Sequence, residues 1–425
     1  MRKRKSRGKQ KRRKSTGTVF VIALAVTLLV GGGCLFLYMI SNKQIDFGKE
    51  NGERASEITR IEAEDIPVRQ DVPEESDVSE EAEADDGFDE DGCIRDENGR
   101  IVEKKQGTDS EEAVLLFAGD ILLDDGYAMM GAMRKRGDIR ACFSAETLQE
   151  MKAADIFMLN NEFTYTNRGE PTPEKQFTFR AKPENAALLR ELGVDIVSLA
   201  NNHAYDYGEI SLLDSLETLE GIDMPYVGAG RNLEEASRTV YFHAGNQKIA
   251  YISGTQIERQ DNPDTKGATE SAPGVFRCFK PTKILERVEE AKGNSDFVVV
   301  YIHWGTEKTD ELDWAQPDTA KALAEAGADL IIGDHPHVLQ PLANVNDTPV
   351  IYSVGNYWFN SSTLDTCLVK VTLKDGAMQS FQFLPARQSD CYTKLLYGAE
   401  KEAVLQYMRG ISPTVGIDGE GYVTF

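Results

Sequence analysis

From Glu112 onward the chain is punctuated by short apolar runs, rich in Val, Ile, Leu and Phe, each broken off by a polar residue. Seven of them, over 113–118, 156–159, 195–199, 248–252, 297–303, 330–332 and 350–354, are too short for helices and have the composition of buried strands. Amphipathic stretches over 145–154, 184–192, 209–219, 282–291 and 317–326 lie between them and predict helices, the last ending at Gly327, a natural helix stop. Strands that alternate with helices make an α/β domain. Late strands near 367–373 and 378–384 complete it, so the domain is expected to occupy 112–390 and to leave a short tail over 391–425.

What precedes this domain is of another kind. Residues 2–14 hold ten Lys or Arg and no acid, and residues 18–40 follow without a single charge. At about 1.5 Å of rise per residue, 23 residues span a hydrocarbon core of roughly 30 Å. The run exceeds the roughly 7 to 15 apolar residues of a cleaved signal peptide, which favours a retained anchor. With the basic cluster before the span and only Lys43 just after it, residues 1–17 are expected in the cytoplasm and everything beyond the 18–40 anchor outside the membrane. A basic cluster also attracts nucleic acid, but its place against an apolar span makes topology the better account. Removing its ten positives from the net charge of −23 leaves −33 on the remainder, which repels nucleic acid and anionic lipid.

Residues 41–111 are polar and acidic, with 14 Asp or Glu between Asp71 and Glu97. Such a stretch buries too little apolar area to offset its ordering entropy, and a disordered tether is expected. The cysteines at 34, 93, 142, 278, 367 and 391 show neither CxxC pairing nor zinc-finger spacing, so small buried hydrophobes are expected rather than a disulfide framework.

The chemistry gathers where strands give way to loops. Five such ends read Gly119-Asp120, Asn160-Asn161-Glu162, Asn201-Asn202-His203, His303-Trp304-Gly305-Thr306-Glu307 and His335-Pro336-His337. Four of the chain's five histidines stand there, each near Asn, Asp or Glu; only His243 lies elsewhere. One histidine at a strand end is usually structural, whereas four in this company point to metal binding or catalysis. His335 and His337 flank Pro336, and in an extended segment their rings would project to one side.

These segments, together with Phe179-Arg-Ala-Lys-Pro183, Asp206, Gly208, Gly333-Asp-His-Pro-His-Val338 and Tyr352-Ser-Val-Gly-Asn356, resemble the CapA family of poly-γ-glutamate capsule synthesis, whose domain is similar to the calcineurin-type metallophosphatases. The resemblance covers roughly 114–359 and implies an αββα four-layer sandwich. It further implies that Glu162, Asn202, His303 and His335 surround one metal ion and that Asp120, Glu162 and His337 surround a second. Oxygen and imidazole donors suit manganese, iron or zinc better than calcium. Two positions depart from the pattern. Leu122 stands where a metallophosphatase has a histidine ligand, which weakens the second site, and Asn161 stands where the family more often has an apolar residue.

A metal ion at such a site acts as a Lewis acid and makes a nucleophile accessible near neutral pH. His203 is then the candidate to protonate a leaving group, Asp206 the candidate to orient its ring, and Glu307 a candidate acid/base or supporting carboxylate. One function consistent with this is a metal-dependent hydrolase or transferase acting on a phosphoester or a γ-glutamyl amide. A second is a polymer-binding or assembly module beside membrane synthase or export subunits, and a third is a surface interaction domain. The partner expected under the first two is an anionic polymer such as poly-γ-glutamate, which the acidic chain would repel unless cations hold it locally.

Overall fold

The computed structural model describes residues 87–107, 110–257 and 265–425. The expected cytoplasmic segment, the 18–40 anchor and the 41–86 part of the expected tether lie outside the described residues. Among the described residues no helix is long and apolar enough to cross a membrane.

Two eight-stranded sheets form the body of a mixed α/β fold. In spatial order the first runs Cys93–Arg95, Ile101–Lys105, Val240–Ala244, Gln247–Thr255, Phe297–His303, Leu330–Asp334, Thr348–Ile351 and Leu342–Val345. Its centre is parallel, from Gln247–Thr255 across to Thr348–Ile351. The second runs Tyr392–Leu395, Ala377–Ser389, Leu364–Lys374, Glu112–Ile121, Ile156–Asn161, Ile196–Ser198 and Tyr226–Val227, with Asn356–Trp358 also pairing to Glu112–Ile121. Here too the central strands, from Glu112–Ile121 to Tyr226–Val227, are parallel.

Side chains alternate across a strand, and the apolar clusters follow that period. Leu115 and Phe117 of one sheet meet Tyr251, Val299 and Tyr301 of the other in a core between the sheets. Leu116 and Ala118 point the opposite way, into a cluster with Met129, Met151, Leu212 and Leu216. On the far side Val298, Val300 and Ile302 pack against Ile284, Val288, Ala320 and Leu323. Helices, sheet, sheet and helices therefore succeed one another, and both sheets are apolar on both faces, as parallel strands require. Polar stitches also join the sheets: Tyr301 OH donates to the Ala118 carbonyl at 2.8 Å, and the Ser198 and Ser253 hydroxyls lie 2.8 Å apart.

The expected helices appear as Ala145–Ala153, Ala187–Glu191, Glu209–Glu220, Thr282–Asn294 and Ala315–Ala326. Ser144 caps the first by accepting from Thr147 N at 3.2 Å, and Gly327, at φ 109°, ends the last. Helix Ala128–Arg136 was not anticipated; its apolar residues, Met129 and Met130 among them, fall outside any sustained helical period.

Two expectations about boundaries are corrected. The tether does not reach residue 111, because Cys93–Arg95 and Ile101–Lys105 form an antiparallel hairpin whose second strand pairs in parallel with Val240–Ala244. Ladder hydrogen bonds and burial of Cys93, Arg100 and Ile101 order a segment that its composition alone would leave unfolded. Nor is 391–425 a loose tail. Tyr392–Leu395 joins the second sheet, and helix Gly398–Ile411 buries Val404, Leu405 and Met408 in the core between the sheets. The five cysteines among the described residues are buried, as expected.

Candidate metal centre

Parallel strands of both sheets end on the same side, and their last residues carry the polar groups. Asp120 lies near the end of Glu112–Ile121, Asn160 and Asn161 close Ile156–Asn161, His303 closes Phe297–His303, and Asp334 closes Leu330–Asp334. Glu162 and His335 follow directly on such ends, and Asn202 stands four residues beyond Ile196–Ser198. Each apolar run thus positions one donor rigidly, and the site lies at the rim of the core rather than on long loops.

Close approach of the backbones makes this possible. A Cβ on Gly119 would stand 1.8 Å from the Gly355 carbonyl oxygen, and one on Gly333 would stand 2.1 Å from that of Tyr352. His335 and His337 sit at φ 92° and 59°, the left-handed region, where a side chain costs about 1 to 2 kcal/mol per residue. The expectation of an extended His-Pro-His segment is therefore wrong. The rings do converge, with centroids 5.7 Å apart, but across a bend in which both histidines take positive φ.

All six expected ligands meet. His303 Nε2 lies 2.8 Å from Asn202 Oδ1, 3.0 Å from His335 Nδ1 and 3.7 Å from Glu162 Oε1. His337 Nδ1 lies 3.0 Å from Asp120 Oδ2 and 4.0 Å from Glu162 Oε2. Donor atoms of Glu162, His303 and His335 fall within 4.8 Å of one another, as do those of Asp120, Glu162 and His337; the resemblance implied the second group, and the first with Asn202 added. A third group, Asp120, His303 and Asp334, includes a residue the sequence reading passed over.

Burial sharpens the chemistry. Asp120, Glu162, His303 and Asp334 have no exposed surface. All four carboxylate oxygens of Glu162 and Asp334 are buried without a hydrogen bond, although Asp334 Oδ1 stands 3.0 Å from His303 Nδ1. Burial, then the neighbouring charges of Asp120 and Asp334, pushes Glu162 well above the ordinary carboxylate range; burial and Asp120 do the same to Asp334. Burial also opposes ionisation of Asp120, but its bond to His337 outweighs that and lowers its pKa. Burial lowers His303 to about 3. For His337 burial is outweighed by Asp120, and the pKa rises. A buried cluster of imidazoles and carboxylates, in which the oxygens of Glu162 and Asp334 lack a hydrogen bond, fits a divalent cation, whose charge would compensate those oxygens.

Beside these ligands, His203 Nδ1 lies 2.7 Å from Asp206 Oδ2, the pairing expected of them, and burial lowers the His203 pKa against the opposing influence of Asp206. Asp206 is a hub. It accepts from Lys175 Nζ at 2.6 Å and from Phe179 N at 2.6 Å, and Lys175 also donates to the Asn202 carbonyl. Lys175 went unnoticed in the sequence because it sits in a stretch with no apolar period, 31 residues from its partner. Asn160 and Asn201 also do more than end strands: Asn160 Nδ2 donates to Asp120 at 2.8 Å, and Asn201 Nδ2 donates to Asn160 Oδ1 at 2.9 Å. Asn356 Oδ1 stands 2.8 Å from His337 Nδ1.

A cavity of about 370 Å³ opens beside the cluster, walled by Tyr127, Phe177, Phe179 and Phe359 and reached by His203 and His337. Glu307 lines this cavity with its side chain 42% exposed, 3.9 Å from Lys308 Nζ, and so stands at the mouth rather than among the ligands. Leu122 is buried and also lines the cavity, so the position lacking a histidine contributes wall instead of a donor.

The family model described as bacterial capsule synthesis protein PGA_cap matches residues 114–361. The PGA biosynthesis protein CapA of Bacillus subtilis (strain 168) is 31% identical over 274 residues, covering 59% of this chain and 69% of that protein. The capsule biosynthesis protein CapA of Bacillus anthracis is 33% identical over 221 residues; the match covers 50% of this chain and about half, 52%, of that protein. Among solved structures, one described as a novel phosphatase from Mycoplasma pneumoniae aligns at a TM-score of 0.42 and 13% identity, covering 66% of this chain and 95% of that one.

Proposed function

We propose, on the premise that this chain belongs to the bacterial capsule synthesis protein family PGA_cap, that it is a metal-dependent hydrolase or transferase acting in the synthesis of poly-γ-glutamate or another surface polymer. The reacting bond is a phosphoester or a γ-glutamyl amide, and the fold is related to the calcineurin-type metallophosphatases. The observation that carries this reading is the set of four carboxylate oxygens on Glu162 and Asp334, buried without a hydrogen bond among three histidines. Leaving an ionised carboxylate unpaired in a protein interior costs several kcal/mol. Burial raises the pKa of both carboxyl groups, and a cation between them would let both ionise without that cost.

Glu162, Asn202, His303 and His335 would hold one ion, and Asp120, Glu162 and His337 would hold a second, with Asp334 beside Asp120 and His303. A divalent cation there supplies Lewis-acid polarisation of a carbonyl or phosphoryl oxygen and a nucleophile near neutral pH. The chain's own residues do the rest. Asp206 holds the Nδ1 side of His203 and thereby fixes the ring, so that its other nitrogen is available to exchange a proton with substrate in the adjoining cavity. Lys175 secures Asp206 in turn, and the aromatic walls exclude water from the reacting groups. In this reading the domain works outside the membrane, held by the 18–40 anchor, alongside membrane synthase or export subunits and without nucleic acid.

The test is turnover by the purified full chain, stripped with chelator and then given manganese, on a panel of phosphoesters and γ-glutamyl peptides. His335→Ala is expected to lose metal uptake and turnover together; full turnover by that variant overturns the proposal. Leu122, a wall residue at a ligand position, favours a second reading in which the site holds polymer for assembly without cleaving it. In that case metal uptake persists and no probe is turned over.

A further inference from the structure

The segment Phe179-Arg-Ala-Lys-Pro183 takes no part in the cluster except through Phe179, yet it is built with alternating faces. Phe179 and Ala181 are buried, and Arg180 and Lys182 between and beyond them are exposed. Arg180–Ala181 is a short strand paired with Thr164–Tyr165, so the two cations emerge on one side of it. They line a cavity of about 440 Å³ together with Asn167, Thr178 and Tyr207. This cavity and the one beside the metal cluster share Tyr127, which packs edge-on against Phe179 with ring centroids 5.0 Å apart.

The charges in this second cavity are unevenly committed. Asp124 already accepts from Gly126 N at 2.7 Å and from Arg180 N at 2.8 Å. Asp125 is taken by Arg134 at 2.5 Å and by Asn185 at 3.1 Å. Among the described residues neither Arg180 nor Lys182 makes a side-chain hydrogen bond or ion pair; the Arg180 guanidinium instead lies over the Tyr207 ring, 4.5 Å from its centroid. Two cations without a side-chain hydrogen bond or ion pair thus stand together in a chain of net charge −23, next to a site that is itself rich in carboxylates.

We propose that Arg180 and Lys182 form a subsite for an anionic oxygen group, a carboxylate or a phosphate, borne by the same extended molecule whose reacting bond lies at the metal cluster. Tyr127 is the sill over which that molecule passes. The flat guanidinium, already oriented on Tyr207, engages two oxygens at once, and Lys182 adds a point charge. The proposal rests on the reading of the neighbouring cluster as the reaction centre, and it explains how an acidic protein holds an acidic chain.

The experiment is calorimetric binding to the full chain in detergent with manganese present. The probes are a γ-linked glutamate decamer, its neutral γ-linked glutamine counterpart, and inorganic phosphate. The wild type is expected to favour the acidic over the neutral decamer by about tenfold, and Arg180→Gln with Lys182→Gln to erase that preference. Arg180→Lys should restore part of it. Phosphate binding lost in the double variant, without decamer binding, supports the subsite with phosphate as its ligand. A double variant that binds both anions like the wild type, or a wild type that binds neither, overturns it. Manganese uptake is read in the same samples: if the wild type takes up none while charge-dependent decamer binding survives, the proposed function falls and the subsite stands.

Discussion

Glu162 is buried with neither carboxylate oxygen hydrogen-bonded, a state that a folded chain sustains only with a proton or a cation supplied. Its folded pKa is raised above the ordinary 4.5, so between the two values the native state binds more protons than the unfolded one, and stability falls as pH rises. At pH 8, with metal removed, Glu162→Gln should therefore raise the melting temperature, by an amount equivalent to about 1 to 3 kcal/mol, while abolishing the further rise that manganese gives the wild type. Differential scanning calorimetry decides it, and a variant less stable than the stripped wild type contradicts the assignment. Gly119→Ala should act in the opposite sense: its Cβ would meet the Gly355 oxygen at 1.8 Å, and such overpacking costs about 1 to 3 kcal/mol or more by urea denaturation. The proposed ligands are legible because they stand at or shortly after the point where an apolar run stops. Asp334 is not, because the apolar run over 330–332 stops two residues before the strand does and the carboxylate stands inside Leu330–Asp334. Lys175 left no local trace at all, since its role exists only once two loops meet.

The elements that sequence patterning resolves best are those whose period reflects burial within the segment itself. Phe297–His303 and Gln247–Thr255 read as strands because both faces are apolar. The hairpin Cys93–Lys105 does not, because its order comes from pairing with Val240–Ala244 far along the chain. One anchor of that pairing is Glu103, which lies 2.8 Å from Lys248 Nζ and also contacts His243. Burial works against its ionisation, but Lys248 and His243 outweigh that and lower its pKa. The contribution is thus complete above the unfolded value of 4.5 and lost as pH falls through the lower folded value. Hydrogen exchange over 93–105 should accelerate in that acid window ahead of the central strands; uniform protection would count against this. Helix Gly398–Ile411 gives a plainer prediction. Val404, Leu405 and Met408 are each worth about 1.5 to 3 kcal/mol of burial, so a chain ending at Leu396 should lose cooperative melting. A truncated chain that melts like the whole would restore the tail that composition suggested.

At the scale of the molecule, two sheets with apolar faces on both sides place the carboxyl ends of their parallel strands along one edge, and there the chain concentrates four of its five histidines. This much follows from binary patterning, because strand, helix and loop alternate with little ambiguity. Which ends face one another does not, since the order of strands in each sheet is set by long-range packing. The central claim is that this edge binds divalent metal through Glu162 and its neighbours. Calorimetric titration of manganese into the chelator-treated full chain tests it most directly, with Glu162→Gln alongside. One or two ions per chain, with binding abolished in the variant, is the predicted result. No uptake by the wild type, or equal uptake by both, would contradict it.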